Sequence, residues 1–244
     1  ATSARTCWIW EPSVVIDIPF FTQDVIPALN QGLKVSIALI VPASILGFVG
    51  GVALGCLRAF GGPWSSRLGN WYTAIIRGVP LAVQLMMIYY ALPKMGIYFE
   101  PYGAALLSFI LCSAAYHSGE YAVLAGEAPV ATMLSIRQGQ IKAAQALGMT
   151  TFQTVFWIVI PQAARRALPG CGNEIIYLIK YSSLAMLVTC NELMSEAKVL
   201  ASDTFRNTEV FLAVGLYYLI LVSLATWCLR WLEKRYSIPG FGNR

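Results

Sequence analysis

The sequence predicts an all-α integral membrane protein with about five transmembrane helices and a cytoplasmic helix-turn-helix loop. Its 244 residues are 57% apolar and only 12% charged, whereas soluble domains carry about 25% charged residues. The mean hydropathy of +0.63 indicates that much of the apolar surface faces lipid rather than water. Plentiful aromatic and aliphatic residues and a net charge of +5 exclude an intrinsically disordered chain.

Five long stretches with few or no charges predict the membrane spans, because about 20 apolar residues of helix cross the hydrocarbon core. The second stretch contains Arg77, and the fourth is the weakest because Lys180 lies inside it. We assign 33–236 to the membrane domain, 1–32 to an extracytoplasmic segment whose acids and prolines do not fit a signal peptide, and 237–244 to a cytoplasmic tail. The predicted spans are Val35–Leu57, about Trp71–Pro93, Pro101–Gly119, Ile175–Asn191 and Val210–Leu229.

The distribution of basic residues predicts the orientation of the chain. Five spans place the two termini on opposite sides of the membrane. With the amino terminus outside, eleven of the 17 lysines and arginines fall in cytoplasmic segments, five fall outside, and Lys180 stays in the membrane. Since cytoplasmic loops carry the excess of basic residues, we expect the amino terminus outside and the carboxyl terminus inside.

The longest segment between spans is cytoplasmic in this topology, and residues 137–169 within it predict a helix-turn-helix. The range begins with helix-forming residues, Gly148 interrupts them, and Thr150 or Thr151 is placed to cap a second helix that Pro161 ends. The residues just after Gly148, up to position 164, predict an interfacial helix rather than a span. The pattern leaves two interpretations open, a docking element for another protein or a hairpin on the lipid headgroups. The second helix carries an apolar stripe of Phe152, Val155, Phe156 and Val159.

The sequence KAAQALG, followed by nine residues and then IVIP, resembles the EAA loop of ATP-binding cassette importer permeases. That motif reads Glu-Ala-Ala, three residues, Gly, nine residues, Ile, one residue and Leu-Pro. Lys142 stands in place of the glutamate and Ile160 in place of the leucine. The matching positions are Ala143, Ala144, Gly148, Ile158 and Pro161.

Further stretches resemble the polar amino acid uptake branch of this family, so that the resemblance covers most of the chain from about residue 30 onward. These stretches are RGVPLAVQ (77–84), SIRQGQ (135–140), ALGM (146–149), PQAARRALP (161–169) and GNEIIYLIKYSSL (172–184).

The resemblance implies a permease subunit of the bacterial inner membrane that moves a polar amino acid, or an opine-like solute, by alternating access. It implies three protein partners: an ATP-binding cassette ATPase that docks on the coupling loop at about 137–169, a second permease subunit of the same or a sister chain, and an extracytoplasmic substrate-binding protein. The partner ATPase uses the ATP, and we expect no enzyme activity here because the sequence has no G-x-x-x-x-G-K-[ST] loop. We also expect no metal site, since the six cysteines are widely spread without a C-x-x-C pair. No bound cofactor and no nucleic acid are expected either.

Ionisable and polar residues inside the predicted spans are candidates for the cargo path, because a charge within a membrane is costly and usually functional. A zwitterionic amino acid needs a cation for its carboxylate and an acid or carbonyl for its ammonium. Seven positions separate Arg77 from Gln84, so we expect the two to share a helix face with Pro80 and Leu81. Alternatively, neither residue contacts cargo: Arg77 only anchors a span at the lipid headgroups, and Glu174 only stabilises the positive end of a helix dipole. The candidates are Arg77, Gln84, Asn173, Glu174, Lys180 and Ser183, with Glu120 as a further intramembrane acid.

Two other function classes explain less of the sequence. An intramembrane serine hydrolase would use His117 and Ser118, but adjacent helical residues point about 100° apart and the chain has no G-x-S-x-G. A non-transporting membrane scaffold explains the spans but not the spacing of the loop. The stretch 116–135, with Glu127 and Pro129, is several residues longer than the resemblance predicts.

Overall fold

The computed structural model describes residues 17–125 and 131–236, and the regular elements in these ranges are helical, which confirms the predicted all-α class. A short helical turn, Ile18–Phe20, and a π-helical turn, Phe21–Val25, lead directly into the first long helix. The helices are α1 (Ile26–Phe60), α2 (Pro63–Gly78), α3 (Leu81–Met86), α4 (Pro101–Ala125), α5 (Ala131–Ala146), α6 (Thr151–Thr154), α7 (Ile160–Tyr181), α8 (Leu193–Thr204) and α9 (Asn207–Tyr236). The long stretch noted around Glu127 and Pro129 lies mostly outside the residues whose side chains are described.

Among the described residues, two helices are long and apolar enough to cross a membrane by themselves. One is Ile18–Arg58, with 41 residues, and the other is α9, with 30 residues. Helix α2 and the segment Leu81–Met95 are long and apolar enough to cross a membrane only when they are taken together. The angle between these two parts is 101°. The predicted third span, Pro101–Gly119, lies within α4. The predicted fourth span is not one straight helix, since α7 gives way to a 3₁₀ helix, Ser182–Val188.

The second predicted span is interrupted at Pro80, so the expectation that Arg77 and Gln84 share a helix face is wrong. Proline has no N–H to donate, and it disfavours helical geometry in the residue before it. Val79 accordingly has an extended backbone, with φ −101° and ψ 130°. Gln84 folds back across the break, and its Nε2 donates to the carbonyl oxygens of Ile76 and Val79, both at 2.7 Å. The side-chain amide therefore braces the bend.

Pro161 does not end the second helix of the hairpin, which corrects the prediction. A π-helical turn, Val155–Val159, connects α6 to α7, and Pro161 lies in the first turn of α7. The N–H of Ile160 donates to the carbonyl of Val155 in this wider turn. Proline removes one helical hydrogen bond and its ring crowds the preceding turn, which a wider turn accommodates. The helix predicted to lie at the interface is therefore continuous with α7.

Helices α1 and α4 approach closely at Gly47 and Gly51 of α1. A Cβ atom at Gly47 would collide with the side chain of Ser113, and one at Gly51 would collide with the Cβ of His117. Small residues four positions apart commonly let helix backbones approach each other within membranes. The two glycines are therefore required by the packing of α1 on α4.

Buried apolar side chains form two clusters. The first joins α1, α3, α4, α7 and the 3₁₀ helix through Leu39, Ala43, Leu85, Ala105, Phe109, Leu178, Ala185, Val188 and Cys190. The second joins the beginning of the first long helix to α8 and α9 through Phe20, Val25, Leu29, Leu193, Ala197, Ala201, Val210 and Val214. One cluster thus holds α7 in place and the other holds α8.

Candidate functional site

The turn of the cytoplasmic hairpin is a closed helix C-cap. Gly148 has a φ of +82°, a left-handed conformation that glycine adopts without strain. The N–H of Gly148 donates to the carbonyl of Gln145 at 2.9 Å, and that of Met149 donates to the carbonyl of Ala144 at 3.1 Å. These are the two hydrogen bonds of a Schellman motif. They fix the direction in which the chain leaves α5.

The second arm of the hairpin begins with a capping box at Thr150, as predicted for one of the two threonines. Thr150 Oγ1 accepts from the N–H of Gln153 at 3.3 Å, and Gln153 Oε1 accepts from the N–H of Thr150 at 2.9 Å. Farther along, Gln162 Nε2 donates to Gln140 Oε1 at 2.7 Å and joins the two arms. The turn is therefore held both by local caps and by a bond between the arms.

The residues of the EAA-like loop differ in their exposure to solvent. Ala144 is only 2% exposed, so its side chain is not accessible on the surface of the hairpin. Ile158 is half-buried. Facing solvent are Lys142, Ala143, Gly148 and Pro161.

An aromatic patch adjoins the turn. Phe152, Phe156 and Trp157 are 77%, 54% and 71% exposed. The rings of Phe152 and Phe156 stack with centroids 6.0 Å apart, and Trp157 meets Phe156 edge to face. The predicted apolar stripe is therefore confirmed at its two phenylalanines, and Trp157 extends it. Exposed aromatic clusters of this kind indicate a surface that contacts a protein or a membrane.

Helix α7 buries one face and leaves the opposite face open. Leu178 and Ile179 are buried, whereas Asn173, Tyr177 and Lys180 are exposed. Lys180 Nζ lies 5.8 Å from the centroid of the Tyr177 ring, a cation–π arrangement. This helix therefore turns a cation and an amide away from the protein core along a stretch predicted to lie in the membrane.

Arg77 and Tyr116 form a second contact that involves a cation and an aromatic ring, between α2 and α4. The Arg77 guanidinium, on α2, lies 4.9 Å from the centroid of the Tyr116 ring on α4. Tyr116 and Glu174 are both close enough to Tyr181 to interact with it electrostatically.

A cleft with a volume of about 650 Å³ lies between the end of α7 with the 3₁₀ helix that follows it and the helices α8 and α9. Ser183 Oγ donates to the carbonyl of Lys180 at 2.7 Å, which places both predicted path residues together. The cleft is lined mainly by apolar groups around a single lysine. Its lining includes Lys180, Ser183, Met186, Met194, Tyr218 and Leu219.

Three other candidates have different surroundings. Gln84 is buried and braces the bend between α2 and α3. The side chain of Glu120 lies outside the described residues. The ring nitrogens of His117 are buried without a hydrogen-bond partner among the described groups, while Ser118 Oγ donates to the carbonyl of Ala115 at 2.8 Å. His117 and Ser118 therefore do not form a nucleophilic dyad.

Glu192 is a buried carboxylate that the sequence analysis did not single out. It is fully buried where α8 begins, and it lies next to Tyr218 of the cleft. The neighbouring Asn191 is the more typical helix-capping residue, so no local signal marks Glu192.

Comparison with known proteins agrees with this arrangement of helices, hairpin and open face. The family described as "binding-protein-dependent transport system inner membrane component" matches residues 47–238. The chain belongs to this family. It is therefore a transport subunit of the inner membrane, and we refer to it as the permease.

The relatives of the permease are amino-acid and opine permeases. It is 33% identical to the glutamine transport system permease protein GlnP of Escherichia coli, over 87% of this chain and 94% of the relative. It is 36% identical to the nopaline transport system permease protein NocM of Agrobacterium fabrum, over 83% and 88%. The crystal structure of an amino acid ABC transporter with histidines has a TM-score of 0.74 and 26% identity, covering 86% of this chain and 94% of that chain.

Proposed function

We propose that this permease imports a polar amino acid by alternating access, driven by ATP that a separate subunit binds and hydrolyses. The open face of α7 carries the proposal. A lysine exposed on a helix at membrane depth is costly unless it faces a water-filled path or a partner. The similarity to glutamine and nopaline permeases supports a cargo that carries a carboxylate and an amine.

The cargo path runs along this face of α7. Lys180 and Arg77 are the cations for the cargo carboxylate, and Glu174 is the acid for its ammonium. Asn173 and Ser183 add neutral hydrogen-bonding groups beside them. Gln84 contributes indirectly, because it holds the bend that presents Arg77. A second permease subunit, identical or sister to this one, closes the path from the other side.

The ATPase docks on the cytoplasmic hairpin. Gly148 fixes the angle between the two arms, the exposed Lys142 and Ala143 lie beside it, and Pro161 stands where α6 passes into α7. Because α6, the π-helical turn and α7 are continuous, a push on the turn is transmitted along the helix that carries Lys180. The hairpin that docks the ATPase and the cargo-binding face of α7 therefore lie on one continuous helical segment.

The orientation follows from the basic residues, with the amino terminus outside and the carboxyl terminus in the cytoplasm. A substrate-binding protein delivers cargo to the outer mouth. The partner ATPase binds and hydrolyses ATP. This chain contributes the cargo path and the hairpin that couples it to the ATPase. An opine-like solute is the second cargo, favoured by the nopaline relative.

Coupling is tested at Gly148 in proteoliposomes that contain the permease, its ATPase and its binding protein. We expect Gly148→Leu to leave ATP hydrolysis running while uptake of radiolabelled glutamine or nopaline falls, because leucine at a φ of +82° redirects the turn. Gly139→Ala is the matched control, since Gly139 lies on the same hairpin with open space around it. Unchanged uptake per ATP in Gly148→Leu would contradict the coupling role.

The cargo path is tested at Lys180. Lys180→Met removes the charge and keeps the length of the side chain, and we expect the KM for the transported amino acid to rise at least about tenfold, as for loss of a charge-assisted hydrogen bond. Lys198→Met, at an exposed lysine of α8, is the control. If the permease binds no ATPase and transports neither glutamine nor nopaline, the alternative of a non-transporting membrane scaffold is favoured instead.

A further inference from the structure

Glu192 joins three helices although it is fully buried. Its carboxylate caps α8 by accepting from the N–H groups of Met194, at 2.9 Å, and Ser195, at 2.8 Å. It also accepts from Ser36 Oγ of α1 at 3.4 Å and from Tyr218 Oη of α9 at 3.1 Å. We call Ser36, Glu192 and Tyr218 the Glu192 node.

Four hydrogen-bonding groups converge on the two oxygens of the Glu192 side chain. The two backbone N–H groups have no choice but to donate. Ser36 Oγ already accepts from the N–H of Leu193 at 3.0 Å, so its own hydrogen is directed to Glu192. The amino end of α8 adds the favourable potential of a helix dipole. Four donors around one carboxylate satisfy it without a cation, which makes the node a fixed reference point inside the membrane domain.

Tyr218 connects the Glu192 node to the cleft that contains Lys180, which we call the Lys180 cleft. Tyr218 lines the cleft together with Lys180, and its hydroxyl donates to Glu192, which is not among the lining residues. A tyrosine has few rotatable bonds, so anchoring its hydroxyl fixes the position of the whole ring. The neighbouring Tyr217 differs, since its hydroxyl donates to Asn30 Oδ1 at 3.0 Å and its ring is not part of the cleft wall.

We infer that Glu192 is a positioning residue for transport: it holds Tyr218 in the wall of the Lys180 cleft and thereby sets the apparent affinity for cargo. The inference rests on the proposed function of the cleft. Glu192 does not touch the cargo, and it acts only through the tyrosine.

The test measures cargo-stimulated ATP hydrolysis by the complete transporter in nanodiscs, with its binding protein and a series of glutamine concentrations, or nopaline if glutamine is not transported. We expect Tyr218→Phe and Glu192→Gln each to raise KM by about three- to tenfold, the equivalent of one hydrogen bond, with a smaller change in the maximal rate. Tyr217→Phe is expected to change KM by less than about twofold, although it also loses one hydroxyl hydrogen bond.

The double variant separates positioning from general stability. If both residues act through one contact, the Glu192→Gln/Tyr218→Phe variant raises KM no further than the larger single change. Lower apparent Tm values with unchanged KM in both single variants would overturn the inference and leave Glu192 a structural cap. If Glu192→Gln does not fold, the pair Tyr218→Phe and Tyr217→Phe decides the question alone.

Lys180→Met distinguishes failure of this inference from failure of the proposed path. If Lys180→Met leaves KM unchanged, the cleft does not hold cargo, and both proposals about it fail. If Lys180→Met raises KM while Tyr218→Phe and Glu192→Gln do not, the path stands and only the positioning role is overturned.

Discussion

The cytoplasmic hairpin and the Glu192 node are built in opposite ways. The caps of the hairpin join residues three to five positions apart, such as Thr150 with Gln153. The node joins Ser36 to Glu192, which are 156 positions apart. The hairpin turn is exposed to solvent and the node is fully buried. Local bonds therefore suffice to shape the hairpin turn, whereas the Glu192 node forms only when several helices pack together.

This difference predicts how each region responds to substitution. Damage to a local cap alters one turn and leaves the remaining helices packed. Damage to a buried long-range contact affects every helix that meets there, because the lost partner leaves a void, a clash or an unpaired polar group. The four predictions below run from the largest expected effect to the smallest.

The largest effect is expected for a clash between α1 and α4. Gly51→Ala places a Cβ against His117, and overpacking of a tight contact costs about 2 to 3 kcal/mol. The apparent Tm in detergent and the yield of monodisperse protein should both fall. Gly103→Ala is the control, since its new Cβ would meet only the Phe99 ring at 3.9 Å. Equal stability of the two variants would show that α1 and α4 adjust freely.

A hydroxyl deletion in the Glu192 node is expected to come next. Ser36→Ala removes the acceptor for the N–H of Leu193 and one donor to Glu192, both within the buried region. An unpaired buried group costs about 1 to 3 kcal/mol. Thermal unfolding monitored by tryptophan fluorescence should show the loss. The exposed Ser202, whose hydroxyl donates to the carbonyl of Lys198, supplies the control Ser202→Ala, and a matching loss there would refute the buried-contact explanation.

A smaller and more local effect is expected at the hairpin. Thr150→Ala removes half of the capping box, which costs about 1 kcal/mol. Hydrogen exchange should become faster over α6 and the turn, with protection in α4 and α9 unchanged. Thr150→Ser keeps the hydroxyl oxygen and should restore protection. Faster exchange throughout the chain would mean that the hairpin is not an independent local element.

The smallest effect is expected where a long-range contact is exposed. Asp17 Oδ2 accepts from Arg206 Nη1 at 2.9 Å, 189 positions along the chain. The guanidinium also lies over the Phe20 ring, 3.9 Å from its centroid. The hydrogen bond from Arg206 lowers the pKa of Asp17 below its ordinary value of 3.8. The contact between Asp17 and Arg206 therefore stabilises the fold fully at any pH above the ordinary pKa of Asp17. This stabilisation is lost as the pH falls through the lowered pKa.

The pH dependence is measured as a difference between two proteins. At pH 7 the apparent Tm of the wild type should slightly exceed that of Asp17→Asn, and the difference should vanish at a pH below the lowered pKa. High salt should reduce the difference as well, because exposed charges are screened. A gap that is independent of pH would show that the contact stabilises by packing alone.

Prediction from sequence succeeded at the hairpin turn and failed at two prolines. Gly148 and Thr150 mark the turn in the sequence, and the structure confirms both. The prediction that Arg77 and Gln84 share a helix face was wrong because Pro80, which stands between them in the sequence, breaks the helix. Pro161 was misjudged in the other direction, since a π-helical turn carries the helix through the proline.

The sequence by itself determined the helical, membrane-embedded class, the hairpin and the family resemblance, because apolar content, capping residues and motif spacing are properties of short segments. Only the tertiary structure decided that Glu192 is buried, that Tyr218 borders the cleft and that α1 must come close to α4. Such features depend on residues from different helices meeting in space, and one such pair, Ser36 and Glu192, is 156 positions apart. Burial then turns an ordinary acid into the point on which three helices converge.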